Sequence, residues 1–361
     1  MRPRCPATAG LPGSRRGVSD ELAAALAQVR VTTPERILWP ASGLYAAVTK
    51  RDLLGYFTRV APHLLRHLRD RPLTLKRYPT GLRGKHFFQK HVETPLPAYV
   101  VRESLYAEQH ASSGDHVICN NLATLLWLGQ IGNIELHPWY SRVNPEPDAR
   151  GLPRTFSGSV ESLEASVVNY PDFMVFDLDP YLYSGHEAAG AEPEFHRLGY
   201  QKTCQAAFWL KEVLDELGLP SFVKTSGKTG LHVFVPILRN VDYDAVRAVS
   251  EQICRFVQRQ HPRETTMEWS VERRRGKVFL DHNQNTRGKT LAGAYSPRAL
   301  LGAPVSMPLR WDEVAEADPT AFTIWTAAQR VDELGDLWQH ILDAKVDLTR
   351  AFGGSNLARS A

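Results

Sequence analysis

Two aspartates, Asp177 and Asp179, close the apolar run DFMVFDLDP. Residues two apart on a β-strand project to the same face, so this spacing sets two carboxylates side by side at a strand end. Leaving both charged against an apolar strand is costly without a cation or hydrogen-bond donors, and a pair of hard divalent ions is the natural complement to such oxygen ligands. A third carboxylate, Asp281, closes another apolar run, KVFLD, and is followed by the polar, cationic loop HNQNTRGKT. Three acids at strand ends can hold two ions roughly 3.5–4 Å apart, which activate an attacking oxygen and stabilise a leaving one in phosphoryl and nucleotidyl transfer. Between these acids lies VKTSGKTGLHVFVP. Ser226, Gly227, Lys228, Thr229 and Gly230 form a short turn whose amides, hydroxyls and ammonium suit phosphate oxygens, and His232 returns along the next strand. The turn is not a Walker loop, because GxxxxGK[ST] is absent.

The strands that must position these residues belong to a β-α-β-β-α-β run. DFMVFDLDP is followed by a helix from Lys202 to Leu217, the strands FVKTS and LHVFVPI joined by GKTG, a helix from Tyr243 to Gln260, and KVFLD. That order predicts an α+β fold whose catalytic core is a split βαβ, RRM-like unit. Ahead of it, TTPERILWP and a turn at Ala41 to Gly43 lead into TKRDLLGYFTRVAPHLLRHL, an amphipathic helix that Thr49 can cap. RPLTLKRYP and KHFFQK read as strands, and after a loop CNNLATLLWLGQIGN reads as a buried helix running into the strand IELHPW. Arg142 to Pro171 and Tyr181 to about Leu198 lack periodicity, so the first reads as a connection dividing the chain into two lobes and the second as an insertion. Residues 1–30 are rich in Pro, Gly, Ala and Arg with one helical stretch, Ser19 to Val29, and read as a mobile leader without catalytic groups. The expected organisation is this leader and a single domain over 31–353, with an N-terminal α/β lobe at about 31–141, an insertion at 142–171, a catalytic lobe from 172, and a tail at 354–361.

At 361 residues the chain is long enough to bury a sizeable core. No stretch approaches the ~20 apolar residues of a membrane span, and the Arg-containing start lacks the apolar segment of a secretory signal, so a membrane or exported protein is not expected. Cys5, Cys119, Cys204 and Cys254 form no CxxC pair, which argues against a zinc site or a disulfide framework and for a reducing cytoplasm. The net charge of +4 is too small to name a polyanionic partner by itself. A phosphatase of the haloacid dehalogenase type also places DxD at a strand end, but wants Thr or Val two residues further on, where this chain has Pro180 and then Tyr181.

With VFDLDP, SGKTGLHVFVP and VFLDHNQN in that order, the chain resembles the archaeo-eukaryotic primase superfamily, and most closely the polymerase domain of bacterial ligase D, which serves non-homologous end joining. The likeness continues through TTPERILWPASGLYAAVTKRDLLGYF, RPLTLKRYPTG, FFQKH, LLWLGQIGNIELHPW and KTLAGAYSPRA, and covers roughly residues 32–352. The resemblance implies a primase-polymerase fold in which Asp177, Asp179 and Asp281 bind two magnesium or manganese ions. It implies that Ser226, Lys228 and His232 contact a nucleoside triphosphate, that Arg274 or Arg275 and Arg298 add basic contacts, and that His137 lies near the sugar and the metals. It further implies that Arg36 and Lys50 capture the 5′-phosphate at a gap or break, that Phe87 and Phe88 pack on template bases, and that Lys90 beside them touches the backbone. Adjacent Phe residues on a strand face opposite ways, which leaves one of them for the core.

The function so implied is a DNA-directed nucleotidyltransferase that fills gaps or extends ends with a ribonucleotide preference. The alternatives are a primer-independent primase and a DNA-end binding or bridging module. Arg36 stands where many relatives carry Lys, which changes a point charge into a fork. The ligase and nuclease domains of ligase D are missing from this sequence, so the expectation is a stand-alone, nucleoid-associated polymerase in the bacterial cytoplasm that meets an ATP-dependent DNA ligase in trans, with a Ku protein as the recruiting partner.

Overall fold

A computed structural model describes residues 24–351 apart from 94, 108–110 and 189. The chain opens with a two-stranded ribbon, β1 (Ile37–Trp39) and β2 (Val48–Thr49). Thr49 then starts α1 (Lys50–Leu68) with a capping box, its hydroxyl accepting from the Asp52 amide while the Asp52 carboxylate accepts from the Thr49 amide. Leu53, Phe57, Val60, Leu64 and Leu68 recur every three or four residues and form the buried face of this helix. The first sheet comprises β3 (Pro72–Arg77), β4 (Phe87–Gln89), β5 (Val101–Ala107) and β6 (Ser112–Ile118), with β7 (Asn133–Pro138) paired along the other side of β3. A buried helix, α2 (Leu122–Gln130), precedes β7. The hairpin of β5 and β6 replaces the loop expected after KHFFQK; several of its residues are half-buried or exposed, so its sequence lacks a clean apolar alternation.

The second half adds α3 (Val160–Ala165), β8 (Phe173–Pro180), α4 (Arg197–Glu216), β9 (Phe222–Thr225), β10 (Leu231–Pro236), α5 (Tyr243–Gln260), β11 (Thr265–Thr266), β12 (Val278–Asp281), β13 (Pro308–Leu309) and α6 (Ile324–Leu334). Its sheet runs β11-β12-β8-β10-β9-β13, with β8 antiparallel to both β12 and β10. The pleat then decides which residues meet. Met174, Phe176 and Leu178 face one way and pack with Leu210 of α4 and Ile253 of α5. Phe173 and Val175 face the other way and pack with Phe57, Leu75 and Leu136 of the N-terminal half. Asp177 and Asp179 continue this second face, toward the N-terminal half rather than toward the helices.

Several expectations need correction. The chain beyond the connection at 142–171 does not pack only with itself, because α6 returns to the N-terminal half: Ile324, Ala327 and Val331 join its cluster, and Asp332 accepts from the Arg59 Nε at 2.7 Å. The connection is itself packed, with Val143, Phe156, Leu163 and Val167 in a small cluster with Trp139. Most of the leader lies outside the described residues, but residues 24–28 are helical and Ala25 and Val29 are buried, so the ordered chain begins before residue 30. The helix expected from Lys202 begins at Arg197, where the His196 ring accepts from the Gly199 amide. Cys119, Cys204 and Cys254 are unpaired and buried, each thiol pushed up by that burial. Among the described residues no helix is long and apolar enough to cross a membrane.

Candidate active site

The register of the second sheet brings four polar residues into one row. Asp281 pairs with Asp177, Asp177 with His232, and His232 with Lys224, across β12, β8, β10 and β9. Cross-strand partners share a face, so the four side chains form a continuous polar band on the face that otherwise carries Val175 and Phe234. At one end, Lys224 is fully buried, and its ammonium donates to His232 Nδ1 at 2.6 Å, to the Ala292 carbonyl at 2.8 Å and to the Ser306 hydroxyl at 2.6 Å. Nδ1 is thereby an acceptor, and the ring proton belongs on Nε2, which lies 3.3 Å from Asp177 Oδ1.

The other end of the row carries unmatched negative charge. Asp177 Oδ1 is buried, and the imidazole beside it is not in hydrogen-bond geometry, so this oxygen has no hydrogen-bond partner. Burial, followed by repulsion from Asp179 and Asp281, pushes the Asp177 carboxyl well above the usual carboxylate range. Asp179 is raised to about 6, first by burial and then by Glu192, which the 181–198 insertion brings to the same cavity. Burial pulls Lys224 and His232 well below their ordinary values, with Arg298 adding to the effect on Lys224 and Lys224 to that on His232. The geometry does not bring all three acids into one tight cluster. Asp281 stands across from Asp177, but its carboxylate accepts from the Asn283 amide and the Gln284 side chain, both at 2.9 Å. Among the described residues no three His, Cys, Asp or Glu side chains converge as a metal-ligand group. The unpartnered Oδ1 of Asp177 and the all-oxygen character of the set nevertheless fit a hard divalent ion better than any internal donor.

A cavity of about 210 Å³ opens over Asp177 and Asp179, lined also by His137, Ser226, Lys228, His232 and Arg298. The loop between β9 and β10 can approach the acids only because of its glycines. A Cβ on Gly230 would lie 2.1 Å from the Leu178 carbonyl oxygen, and one on Gly227, whose φ is +72°, would strike the Arg298 stem at 2.5 Å. The Ser226 hydroxyl accepts from the amides of Lys228 and Gly230, each at 3.1 Å, and the Ser226 carbonyl accepts from Arg298. Facing this loop, β7 supplies Glu135 and His137 two residues apart on one face. The His137 Nε2 lies 2.8 Å from Glu135 Oε2, and the Arg298 Nε lies 3.2 Å from the same oxygen.

The remaining expected site residues scatter. Arg274 is buried and donates to the carbonyls of Glu268 and Trp269 at 2.8 Å and to the Tyr181 hydroxyl at 2.6 Å, with its guanidinium 3.6 Å from the Phe279 ring centre. Arg275 stacks on Tyr183, 5.0 Å away. Neither lines the cavity over the acids, so of the basic candidates there only Lys228 and Arg298 do. Lys50 is also a correction: it is buried and donates to the Thr32 carbonyl at 2.8 Å and to Gln130 Oε1 at 3.2 Å, which leaves it no open surface for a phosphate. Arg36, half-buried, donates to the Pro79 carbonyl at 2.6 Å. Neither Phe of β4 is core: Phe87 and Phe88 are 44% and 61% exposed. Phe88 sits edge-on to His137 with ring centres 6.3 Å apart, and it lines an outer groove with Lys90, Arg287 and Trp139. Lys224 and Glu135 were not among the expected site residues, although Lys224 stands two residues before Ser226 and Glu135 shares a face of β7 with His137.

Residues 49–338 match the family of the LigD primase-polymerase domain. The chain belongs to that family. It is 31% identical over 332 residues to the multifunctional non-homologous end joining protein LigD of Pseudomonas aeruginosa, covering 91% of this chain and 34% of the relative. It is 29% identical over 289 residues to the bifunctional LigD of Bacillus subtilis, covering 80% of this chain and 40% of that protein. The chain thus spans little more than a third of the curated LigD proteins it matches. Its fold is similar to the polymerase domain of Mycobacterium tuberculosis ligase D, solved in complex with DNA, with a TM-score of 0.72 at 25% identity over 88% of this chain and 99% of that one. Asp177 and His232 of the polar row, the glycine loop and His137 of β7 line one cavity between the two sheets.

Proposed function

We propose that this chain is a DNA-directed nucleotidyltransferase that fills gaps or extends ends, with a ribonucleotide preference, in double-strand break repair by non-homologous end joining. The observation that carries the reading is the row from Lys224 to Asp281, which ends in carboxylates without matching positive charge beneath a loop of phosphate-type donors. In the reaction the primer 3′-oxygen bonds to the α-phosphorus, the bond to the β-phosphate breaks, and pyrophosphate leaves. Asp177 and Asp179, with Asp281 on the adjoining strand, would hold two magnesium or manganese ions, which supply a lowered pKa at the 3′-hydroxyl and neutralise phosphate charge. Lys228, Arg298 and Ser226 bind the triphosphate and offset charge that builds there. His232, its ring proton directed to Nε2 by Lys224, lines the cavity beside Asp177 and offers that N–H to the triphosphate. His137 faces the sugar, where a polar partner can read the 2′-hydroxyl.

Outside the cavity, Phe87 and Phe88 offer stacking platforms to template bases and Lys90 a charge for the backbone, with Arg36 as the remaining basic candidate for a downstream 5′-phosphate. An ATP-dependent ligase and a Ku protein would be the partners, on DNA ends at the nucleoid. The test is extension of a labelled primer in a short gap with a downstream 5′-phosphate, in manganese, with ribo- or deoxyribonucleotides. Phosphate-dependent extension favouring ribonucleotides, abolished by Asp177→Ala without loss of end binding, is the expected result. Full extension by that variant overturns the metal assignment. Dinucleotides made on bare single-stranded template point to a primase, and phosphate-dependent binding without extension to an end-recognition module.

A further inference from the structure

Glu135 is a buried carboxylate, 1% exposed, around which the sugar side of the cavity is organised. We propose that Glu135 is the positioning residue of the nucleotide site: it holds the proton of His137 on Nε2, which leaves Nδ1 as the acceptor of that ring, and it keeps the Arg298 side chain beside the triphosphate loop. The inference deepens the reading of His137 as the 2′-hydroxyl contact and rests on it for that part alone.

Glu135 Oε1 accepts from the Lys76 ammonium at 3.2 Å and from the Ala299 amide at 3.0 Å, while Oε2 meets His137 Nε2 at 2.8 Å and the Arg298 Nε at 3.2 Å. So many positive and donating neighbours hold Glu135 well below the usual carboxylate range against the opposing effect of burial. An ionised carboxylate only accepts, so the hydrogen between it and the imidazole must sit on Nε2. Burial also pulls His137 below its ordinary value, which favours the neutral ring with a single N–H. The ring lines the cavity, and Nδ1 is its one remaining hydrogen-bonding atom. A 2′-hydroxyl can donate to such an atom, and a deoxyribose cannot.

The same carboxylate reaches the outer groove. Lys76, bound to Glu135, lies 5.4 Å from the centre of the exposed Phe88 ring, which stands edge-on to His137. One acid therefore ties together the ring facing the sugar, the guanidinium beside Ser226 and the aromatic platform outside. His232 reaches the same tautomer through its other nitrogen: the Lys224 ammonium makes its Nδ1 an acceptor, which leaves Nε2 as the donor. The two histidines of the cavity are thus set by buried partners of opposite charge.

The decisive comparison is Glu135→Gln with wild type and His137→Ala, with ribo- and deoxyribonucleotide kinetics measured separately. Gln keeps the volume and an acceptor but leaves Arg298 and Lys76 without their counter-charge. Loss of one charge-assisted contact to the triphosphate should raise KM about tenfold with a smaller change in kcat. The ribo-to-deoxyribonucleotide ratio should fall toward that of His137→Ala, and the double variant should lose no further discrimination. A folded Glu135→Gln protein with wild-type KM and ratio overturns the proposal. Nitrogen-15 NMR of the wild-type chain, with His137 assigned by its disappearance in His137→Ala, supplies a check independent of the variant's folding: a neutral ring protonated on Nε2 is expected, and protonation on Nδ1 overturns it. A wild type without ribonucleotide preference would defeat the 2′-hydroxyl reading instead, while the tautomer and the KM effect still decide the role of Glu135.

Discussion

Asp172 and Asp177 stand five residues apart along one stretch of chain, both buried, and they live in opposite electrostatic worlds. Asp172 is met by Arg71 at 2.8 Å, by two Arg142 nitrogens at 2.9 Å, by Arg239 at 3.5 Å and by Lys345, and these cations hold its carboxyl far below the usual range. Asp177 has a neutral imidazole out of hydrogen-bond geometry and two further carboxylates as neighbours, and its carboxyl is pushed up. A buried acid whose charge is fully matched belongs to the fold. A buried acid left unmatched marks a place where the protein expects positive charge from outside.

Removing the matched acid should have the largest effect. Asp172→Ala strands several buried cations, with Asp148 as their remaining partner, and should cost about 3–5 kcal/mol, read as a collapse of the urea midpoint or a failure to fold. Removing the unmatched acid should do the reverse to stability. Asp177→Asn relieves repulsion with Asp179 and should stabilise the ion-free protein at pH 8 by on the order of 1 kcal/mol while abolishing primer extension, measured by thermal unfolding in chelator beside an extension assay. A lower Tm for that variant would undo the contrast between the two acids.

Their pH windows sharpen the comparison. The folded value of Asp179, about 6, lies above its ordinary one, so its favourable contribution is complete at low pH and disappears as pH rises through about 6. Tm in chelator should therefore decline across that window, and the rise in Tm on adding manganese should grow across it. Asp172 is depressed, so its contribution is complete above the ordinary carboxylate range and is lost only as pH falls below about 4. Asp172→Asn should flatten the acid limb of the stability profile, and Asp179→Asn the limb near pH 6. The smallest change expected is outside the core: Phe88→Ala leaves stability within about 0.5 kcal/mol but weakens template binding by about tenfold, as one lost stacking platform of 1–3 kcal/mol implies, measured by fluorescence anisotropy.

Much of the site was legible because pleating is strictly periodic. Two aspartates at a spacing of two had to share a face, and the turn rich in Gly and Ser between two apolar runs had to bring Ser226 and His232 close together. What the sequence hides is register across strands. A lysine in FVKTS reads as an ordinary strand cation until pairing with His232 places it inside, and Glu135 reads as surface charge until β7 is seen between β3 and the loop bearing Arg298. The run ERRRG announces positive charge without saying where each guanidinium points, and Arg274 turns inward onto Phe279. Lys50 misled for a related reason: the first residue of a helix is usually solvated, but here the segment around Thr32 closes over it.

The buried thiols give each part of this molecule its own clock. Cys119 lies in the core shared with the N-terminal half, Cys204 on α4 and Cys254 on α5, and all three are shielded while the chain is folded. Their reaction with a small alkylating reagent in a Cys5→Ser background requires opening of the surrounding segment, so the three rates measure three separate opening equilibria. Manganese bound at Asp177 would slow Cys204 and Cys254, which sit under the β8 sheet, more than Cys119, and would trace how far the grip of the ion extends into the protein.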